Sequence, residues 1–378
     1  MGARDPWFDN AKMALVTLVV IGHSWVLLPD SALRDSAYVW LYAWHMPAFV
    51  VITGYLSRSF AWTGPRLWSL VRTVAVAYVL FEAAMSLFRT FVGGEQLEEI
   101  WSDPHWPMWF LVALFVWRLA TPLFTAMPAP VALTVAVALS LTGGLWAGSV
   151  LDLSRVFGFL PFFVLGLHLR PGAWERLHAP AARVLGVAAL LAVGAVTVLT
   201  DLVPASDWFY YSHTYAELDV TAGAGVALRS LALVLGVLGG AGFLALVPRR
   251  AGWWTAMGSA SLVVYLFHGF FVKGALYAGW GGALEDVGAT AALGLTTLAA
   301  LGVALLLAWP PVARVLADVA DPLGWAGRRV GAAHAVVSTP EPAETVQQVV
   351  LVDEHGKAAE TGGDPDRTGS SLTGPGAH

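Results

Sequence analysis

The sequence contains no cysteine. That excludes disulfides, thiolate metal sites and any enzyme that passes an acyl group through a cysteine thioester. Charge is also scarce. Only 12% of the 378 residues are Asp, Glu, Lys or Arg, against about 25% in a soluble domain. What remains is apolar: 57% of the chain is hydrophobic, and it lies in repeated runs of about 20 residues, the length that crosses a bilayer core. The composition therefore predicts an all-α, polytopic membrane protein. The first apolar run starts near Ala11. It is too long for a signal-peptide core and no small-residue cleavage site follows it, so no cleavable leader is expected. Tryptophan is abundant, with 18 in the chain, as expected of indole belts at both membrane faces.

Ten spans are expected, at about 11–29, 37–57, 69–91, 107–125, 130–148, 155–170, 182–201, 224–247, 257–278 and 289–309. The sixth is short and rich in Phe and Gly, which predicts an irregular segment. The fourth carries Arg118 and Pro122, which predicts an interruption. Most Lys and Arg fall on one side if the N-terminus is cytoplasmic, among them Arg4, Lys12, Arg58, Arg66, Arg72, Arg249 and Arg250. The opposite loops are acidic, and Arg89, Arg155 and Arg229 near that mouth are expected to pair with them. The expected domain is therefore a transmembrane unit over 1–330. From 331 to 378, Pro, Glu, Thr, Gly and Asp dominate, which predicts a disordered cytoplasmic tail.

Ionisable groups inside spans are costly and are functional candidates by default. His23 lies about 18 Å from the inner face at 1.5 Å per residue, and Lys12 shares its helix face about 16 Å away. The same arithmetic puts His45, Glu82 and His268 within about 2 Å of that depth, on three other helices. Four titratable groups at one level predict a central polar cavity. A histidine there can take a proton from a hydroxyl near neutral pH. A second group, His45 or Glu82, can orient it or stabilise its charge. At the inner face Arg66 and Arg72, with Arg4 and Lys12, could hold the phosphates of a nucleotide-like donor, although the ordinary positive-inside signal also accounts for them. At the outer face Trp208, Phe209, Tyr210, Tyr211, His213 and Tyr215 crowd one loop beside Asp207, Glu217 and Asp219. Aromatics with carboxylates suit a sugar, and an interfacial belt explains the aromatics equally well. The residues alone leave two rival classes: a proton-coupled transporter or flippase using the histidines as a relay, and a non-catalytic sensor or scaffold.

Several stretches resemble the membrane-bound acyltransferase 3 family, in particular its fucose 4-O-acetylase-like members. Asp9, Lys12 and Val19-Val20-Ile21-Gly22-His23 match its N-terminal aspartate, basic residue and VVxGH motif. His45-Met46-Pro47-Ala48-Phe49 and Thr53-Gly54-Tyr55 match its second-span motif. Trp109-Phe110-Leu111, Phe162-Phe163-Val164-Leu165-Gly166, and Ser261, Tyr265, Leu266 and His268 match three more. The resemblance covers Arg4 to about Trp309. It implies transfer of an acyl group, usually acetyl, from cytoplasmic acyl-CoA to a hydroxyl of a carbohydrate or lipid-linked glycan. No metal is expected, the expected location is the plasma membrane, and the bias of basic residues places both termini in the cytoplasm. The resemblance implies that His23 is the catalytic histidine and Lys12 its basic partner; His45, Glu82 and His268 join them as catalytic candidates on the depth arithmetic. It implies a role for the first cytoplasmic loop in CoA binding, for which Arg4, Arg66 and Arg72 are the candidates. Trp109, Arg155 and Trp208 are the expected contacts to the acceptor. Two departures stand out. Lys12 occupies a position where many relatives carry Arg, and Ser69 stands where the partner of Arg72 in an R-x-x-R pair would be.

Overall fold

Helix α1 (Pro6–Trp25) begins at an N-cap, Asp5, whose side chain accepts the Trp7 N–H at 3.0 Å, with Pro6 at the first helical position. Asn10 fastens this end. Its amide donates to the carbonyls of Pro248 and Arg250 at 2.8 and 3.1 Å, and its carbonyl oxygen accepts the Thr255 hydroxyl at 2.7 Å. The structure is a computed structural model that describes residues 5–97, 104–105, 107–148, 150–200, 202–203 and 206–338, with side chains up to 330. No strand occurs among the described residues, and the fold is all-α. The chain divides into two compact units, Met1–Arg328 and Arg329–His378, and the apolar helices belong to the first.

Nine helical stretches among the described residues are long and apolar enough to cross a membrane. α1 is not one of them, because Asp9, Asn10, Lys12 and His23 dilute its hydrophobicity. Yet 14 of its 20 residues are buried. α1 is lined by protein rather than lipid, so it needs no apolar exterior.

The expected second span is two helices, α2 (Ala32–Tyr42) and α3 (His45–Ser57). Pro47 explains the break: it lacks an N–H and its ring collides with the carbonyl four residues back, at Ala43. At the break the Leu41 carbonyl accepts the Trp44 N–H at 3.3 Å, and the His45 ring adds a second partner, with Nδ1 2.8 Å from the same carbonyl.

The third span is α4 (Gly64–Leu70), a π-turn (Val71–Ala75) and α5 (Val76–Phe91). Then come α6 (Trp109–Ala126), α7 (Ala129–Trp146), α8 (Leu153–His168), the short α9 (Pro171–Leu177) and α10 (Pro180–Leu199). α6 is continuous through Arg118 and Pro122, and α8 is regular through Pro161. Neither expected interruption forms, because packed neighbours let membrane helices tolerate proline. The chain continues through α11 (Asp207–Tyr210), α12 (Ala222–Leu246), α13 (Ser261–Tyr277), α14 (Ala289–Ala308), α15 (Pro310–Ala320) and α16 (Pro322–Ser338). α16 carries helix past the expected start of the tail at 331, through a Gly-Ala-Ala-His-Ala run rich in the best helix former. The remaining expected tail lies outside the described residues.

α3 and α8 pack closely at their glycines. A Cβ on Gly54 would collide with the Phe163 carbonyl, and one on Gly166 with the Val51 carbonyl. Close backbone approach through small residues is how membrane helices gain packing energy. At the far end of α5, Glu95 joins two elements: it accepts from Arg89 at 2.7 Å and from Lys273 on α13 at 2.9 Å, and the Tyr277 hydroxyl donates to it at 2.5 Å. Burial works to raise the Glu95 carboxyl, but these hydrogen bonds and the Lys273 charge outweigh it and hold it down at about 2.

Candidate active site

His23 sits near the C-terminal end of α1, where α13 brings His268 alongside. His23 Nδ1 and His268 Nε2 are 2.9 Å apart, and both rings are buried. The tautomers are set by the far side of the pair. His268 Nδ1 is 2.7 Å from the Tyr265 carbonyl, which can only accept, so Nδ1 carries the hydrogen. His268 Nε2 is then a lone pair and accepts from His23 Nδ1–H. In this tautomer His23 Nε2 carries the lone pair. This is the relay logic of a base held by a neighbour in the tautomer that suits proton abstraction.

His23 lines a cavity of about 200 Å³ whose other walls are largely aromatic: Tyr38, Tyr42, Trp109, Phe159, Phe209 and Tyr210 among them. Arg155 reaches it from the first turn of α8. It pairs with Asp152 at 3.0 Å and lies 5.5 Å from the Trp109 ring. Tyr210 donates its hydroxyl to that of Tyr38 at 2.7 Å, and burial pushes the Tyr210 hydroxyl up, which keeps it protonated. Leu151, Asp152 and Tyr211, on the segments that border this cavity, all adopt left-handed backbone angles near φ +50°. Such strain costs about 1–3 kcal/mol per residue and concentrates at functional sites.

A second cavity of about 250 Å³ lies towards the N-terminal end of α1. It is lined by Lys12, Thr53, Thr73, Arg118 and Ser261, with apolar neighbours. Phe110 and Tyr265 line both cavities. Their rings meet edge to face at 5.6 Å, and the Tyr265 hydroxyl donates to the Pro107 carbonyl at 2.6 Å. These two side chains are the partition between a chamber holding His23 and one holding Lys12.

His45 is fully buried beside Tyr42, whose ring centroid is 4.7 Å from His45 and 6.4 Å from His23. His45 Nε2 has no hydrogen-bond partner. Glu82 faces elsewhere: it is completely buried and bonded to both the backbone N–H and the ring of His105. Lys12 pairs with Asp9 at 2.8 Å. Arg72 pairs with Asp321 at 3.1 Å, and Arg66 lines a third cavity on an exposed turn. Trp109 and Arg155 line the His23 cavity. Trp208 does not: it is buried against Tyr215, and its neighbours Phe209 and Tyr210 take the wall positions. Arg4 lies outside the described residues.

Two expected arginine pairs form, Arg89–Glu95 and Arg155–Asp152. The expected carboxylate partner of Arg229 does not appear among the described residues. Arg229 instead donates to the carbonyls of Ser140 and His213 at 3.0 and 3.1 Å, 5.5 and 5.2 Å from the rings of Tyr211 and Tyr215. Carbonyl dipoles and ring faces take the place of an anion, and the loop after α11 wraps around the guanidinium. Burial pushes the Tyr211 and Tyr215 hydroxyls up, and the Arg229 charge offsets part of that.

Sequence reasoning missed Tyr42, His105 and Arg118 as contributors. Tyr42 and His105 carry no periodic or charge signal of their own, and Arg118 reads as one more basic residue on the basic side.

A family model described as an acyltransferase domain matches residues 5–309. No curated protein and no solved structure matches the chain.

Proposed function

The chain belongs to the acyltransferase 3 family of membrane acyltransferases, and from that premise we propose that it moves an acyl group, usually acetyl, from acyl-CoA to a hydroxyl of a carbohydrate or lipid-linked glycan. In this reading the protein sits in the cytoplasmic membrane with both termini in the cytoplasm, and the donor enters from the Lys12 side. The observation that carries the reading is the directed hydrogen-bond chain from the Tyr265 carbonyl through His268 to His23, ending on a nitrogen lone pair beside an aromatic-walled cavity.

The chemistry balances on this chain. The acceptor hydroxyl gives its proton to His23 Nε2 as its oxygen attacks the thioester carbonyl. The imidazolium that forms is stabilised because His23 Nδ1–H points at the His268 lone pair. Collapse of the tetrahedral intermediate breaks the C–S bond, and the CoA thiolate takes the proton back from His23, leaving an ester and free thiol. The aromatic walls supply flat apolar faces for the C–H surfaces of a sugar and keep water from hydrolysing the thioester. Trp109, Phe159 and Tyr210 are the natural stacking surfaces, and the hydroxyls of Tyr38 and Tyr210 can bond sugar hydroxyls.

The test compares acetyl content of cell-envelope glycans and secreted glycosylated metabolites by mass spectrometry, with and without the protein. Wild-type protein should restore the acetyl groups, and H23A, expressed to the same level, should not. A general base contributes about 10²–10⁴ in rate. Near-normal acetylation by H23A would remove the assignment.

A further inference from the structure

Arg118 lies in the middle of α6 and forms a wall of two adjoining cavities. One is the Lys12 cavity. The other, about 220 Å³, is lined by Ser57, Ser59, Arg66 and Ser69 together with Leu56, which both cavities also share. The basic residues around this end differ in how they are balanced. Lys12 has Asp9, and Arg72 has Asp321. Among the described residues, no carboxylate lies within ion-pair distance of Arg118 or Arg66. The hydrogen bond that Arg118 makes is a long one, from Nε to the Ser57 hydroxyl at 3.4 Å. A guanidinium has five N–H donors in a fixed fork. Holding it inside a membrane span without an anion is costly, and such groups usually face a partner or a polar cavity. Here the cavity is present, lined with hydroxyls and a second arginine, and the protein anion is not.

We propose that Arg118, with Arg66, is the anchor for the diphosphate of the acyl donor, in place of Arg72, which Asp321 already engages. The proposal rests on the acyl-transfer reading. Its geometry is consistent along two helices. Trp109, which lines the His23 cavity, and Arg118 are nine residues apart on α6, about 13 Å. Lys12 and His23 are about 16 Å apart on α1. A diphosphate held at Arg118 thus leaves the thioester arm to run along the Lys12 cavity and past Phe110 and Tyr265 to His23. Paired phosphate oxygens match the guanidinium fork bidentately, and Ser57, Ser59 and Ser69 supply further donors.

The test uses full-length protein in lipid nanodiscs. R118Q should raise KM for acetyl-CoA by about 10–100-fold, the loss expected for a charge-assisted bidentate contact. KM for S-acetylpantetheine, which has no phosphate, should stay unchanged, as should KM for the acceptor. R118K should fall between, because lysine keeps the charge and loses the fork. R66Q, on the exposed side and remote from the core, should show the same donor selectivity with a smaller shift, so the proposal survives a misfolded R118Q. Binding of inorganic pyrophosphate, followed by calorimetry, should weaken in parallel. Equal KM shifts for both donors would mean a structural role and would overturn the proposal, as would unchanged pyrophosphate binding in R118Q and R66Q. If pyrophosphate binding depends on Arg118 while wild-type protein transfers no acyl group, the anion site stands and the enzymatic reading fails.

Discussion

Replacing His268 with alanine isolates the relay, because His268 touches the base and not the acceptor. In wild-type protein His23 Nδ1–H donates to His268 Nε2 at 2.9 Å, with both residues buried. The alanine leaves that N–H facing a void and removes the acceptor that fixes the tautomer. A hydrogen bond to a group that becomes charged is worth about 1.5–3 kcal/mol, and 1.36 kcal/mol is a factor of ten in rate. Turnover by H268A should therefore fall about 10–150-fold. That is less than the loss in H23A, which removes the base itself. H268Q keeps an amide oxygen that can accept from Nδ1 and should recover part of the loss. The assay is single-turnover acyl transfer with saturating donor in nanodiscs, so that the chemical step is read apart from binding. The double variant H23A/H268A should be no slower than H23A, since a relay has no use without its base. Turnover by H268A within twofold of wild type, or multiplicative losses in the double variant, would refute the relay.

The crossing of α3 and α8 predicts that G54A and G166A each lower the melting temperature, by the roughly 1–3 kcal/mol typical of overpacking. The double variant should cost less than the sum, because one separation of the two backbones relieves both collisions; thermal unfolding of all three in detergent decides it, and strict additivity would contradict the shared contact. The Glu95 cluster predicts a pH-dependent difference between wild type and E95Q. A carboxyl held at about 2, below its ordinary value near 4.3, contributes stability that is fully present above that ordinary value and is lost as pH falls towards 2. The gap in melting temperature should thus be constant from neutral pH down to about 4.5 and close below it; a gap that persists unchanged at pH 3 would show that the carboxylate charge is not what joins α5 to α13.

Spans were legible because the bilayer imposes their length, and depth was legible because helix rise is fixed. Rise says nothing about azimuth. His23 and His268 meet, whereas Glu82, at nearly the same expected depth, turns towards His105 on the segment before α6. No local pattern marks which way a buried glutamate faces when its helix is surrounded by others. The expected span over 37–57 took no account of Pro47, and both the break before His45 and the imidazole bonding the Leu41 carbonyl needed the geometry of the kink.

The motifs themselves mix two kinds of constraint that a sequence cannot separate. In the His45–Tyr55 stretch, Gly54 is there because a carbonyl of α8 occupies the space of its side chain, and Tyr55 because its ring stacks on Phe8 at 5.2 Å. Gly166 answers Gly54 from the other helix. These positions hold α3 and α8 in place, and α8 in turn carries Phe159 and Arg155 into the wall of the His23 cavity. Arg118 shows the opposite case. In sequence it is one basic residue among many on the basic side. Its distinction is the lack of a neighbouring carboxylate among the described residues, and that depends on Asp9 and Asp321 being spent on Lys12 and Arg72. A charge acquires meaning from how its neighbours are already paired, which only the assembled helices determine.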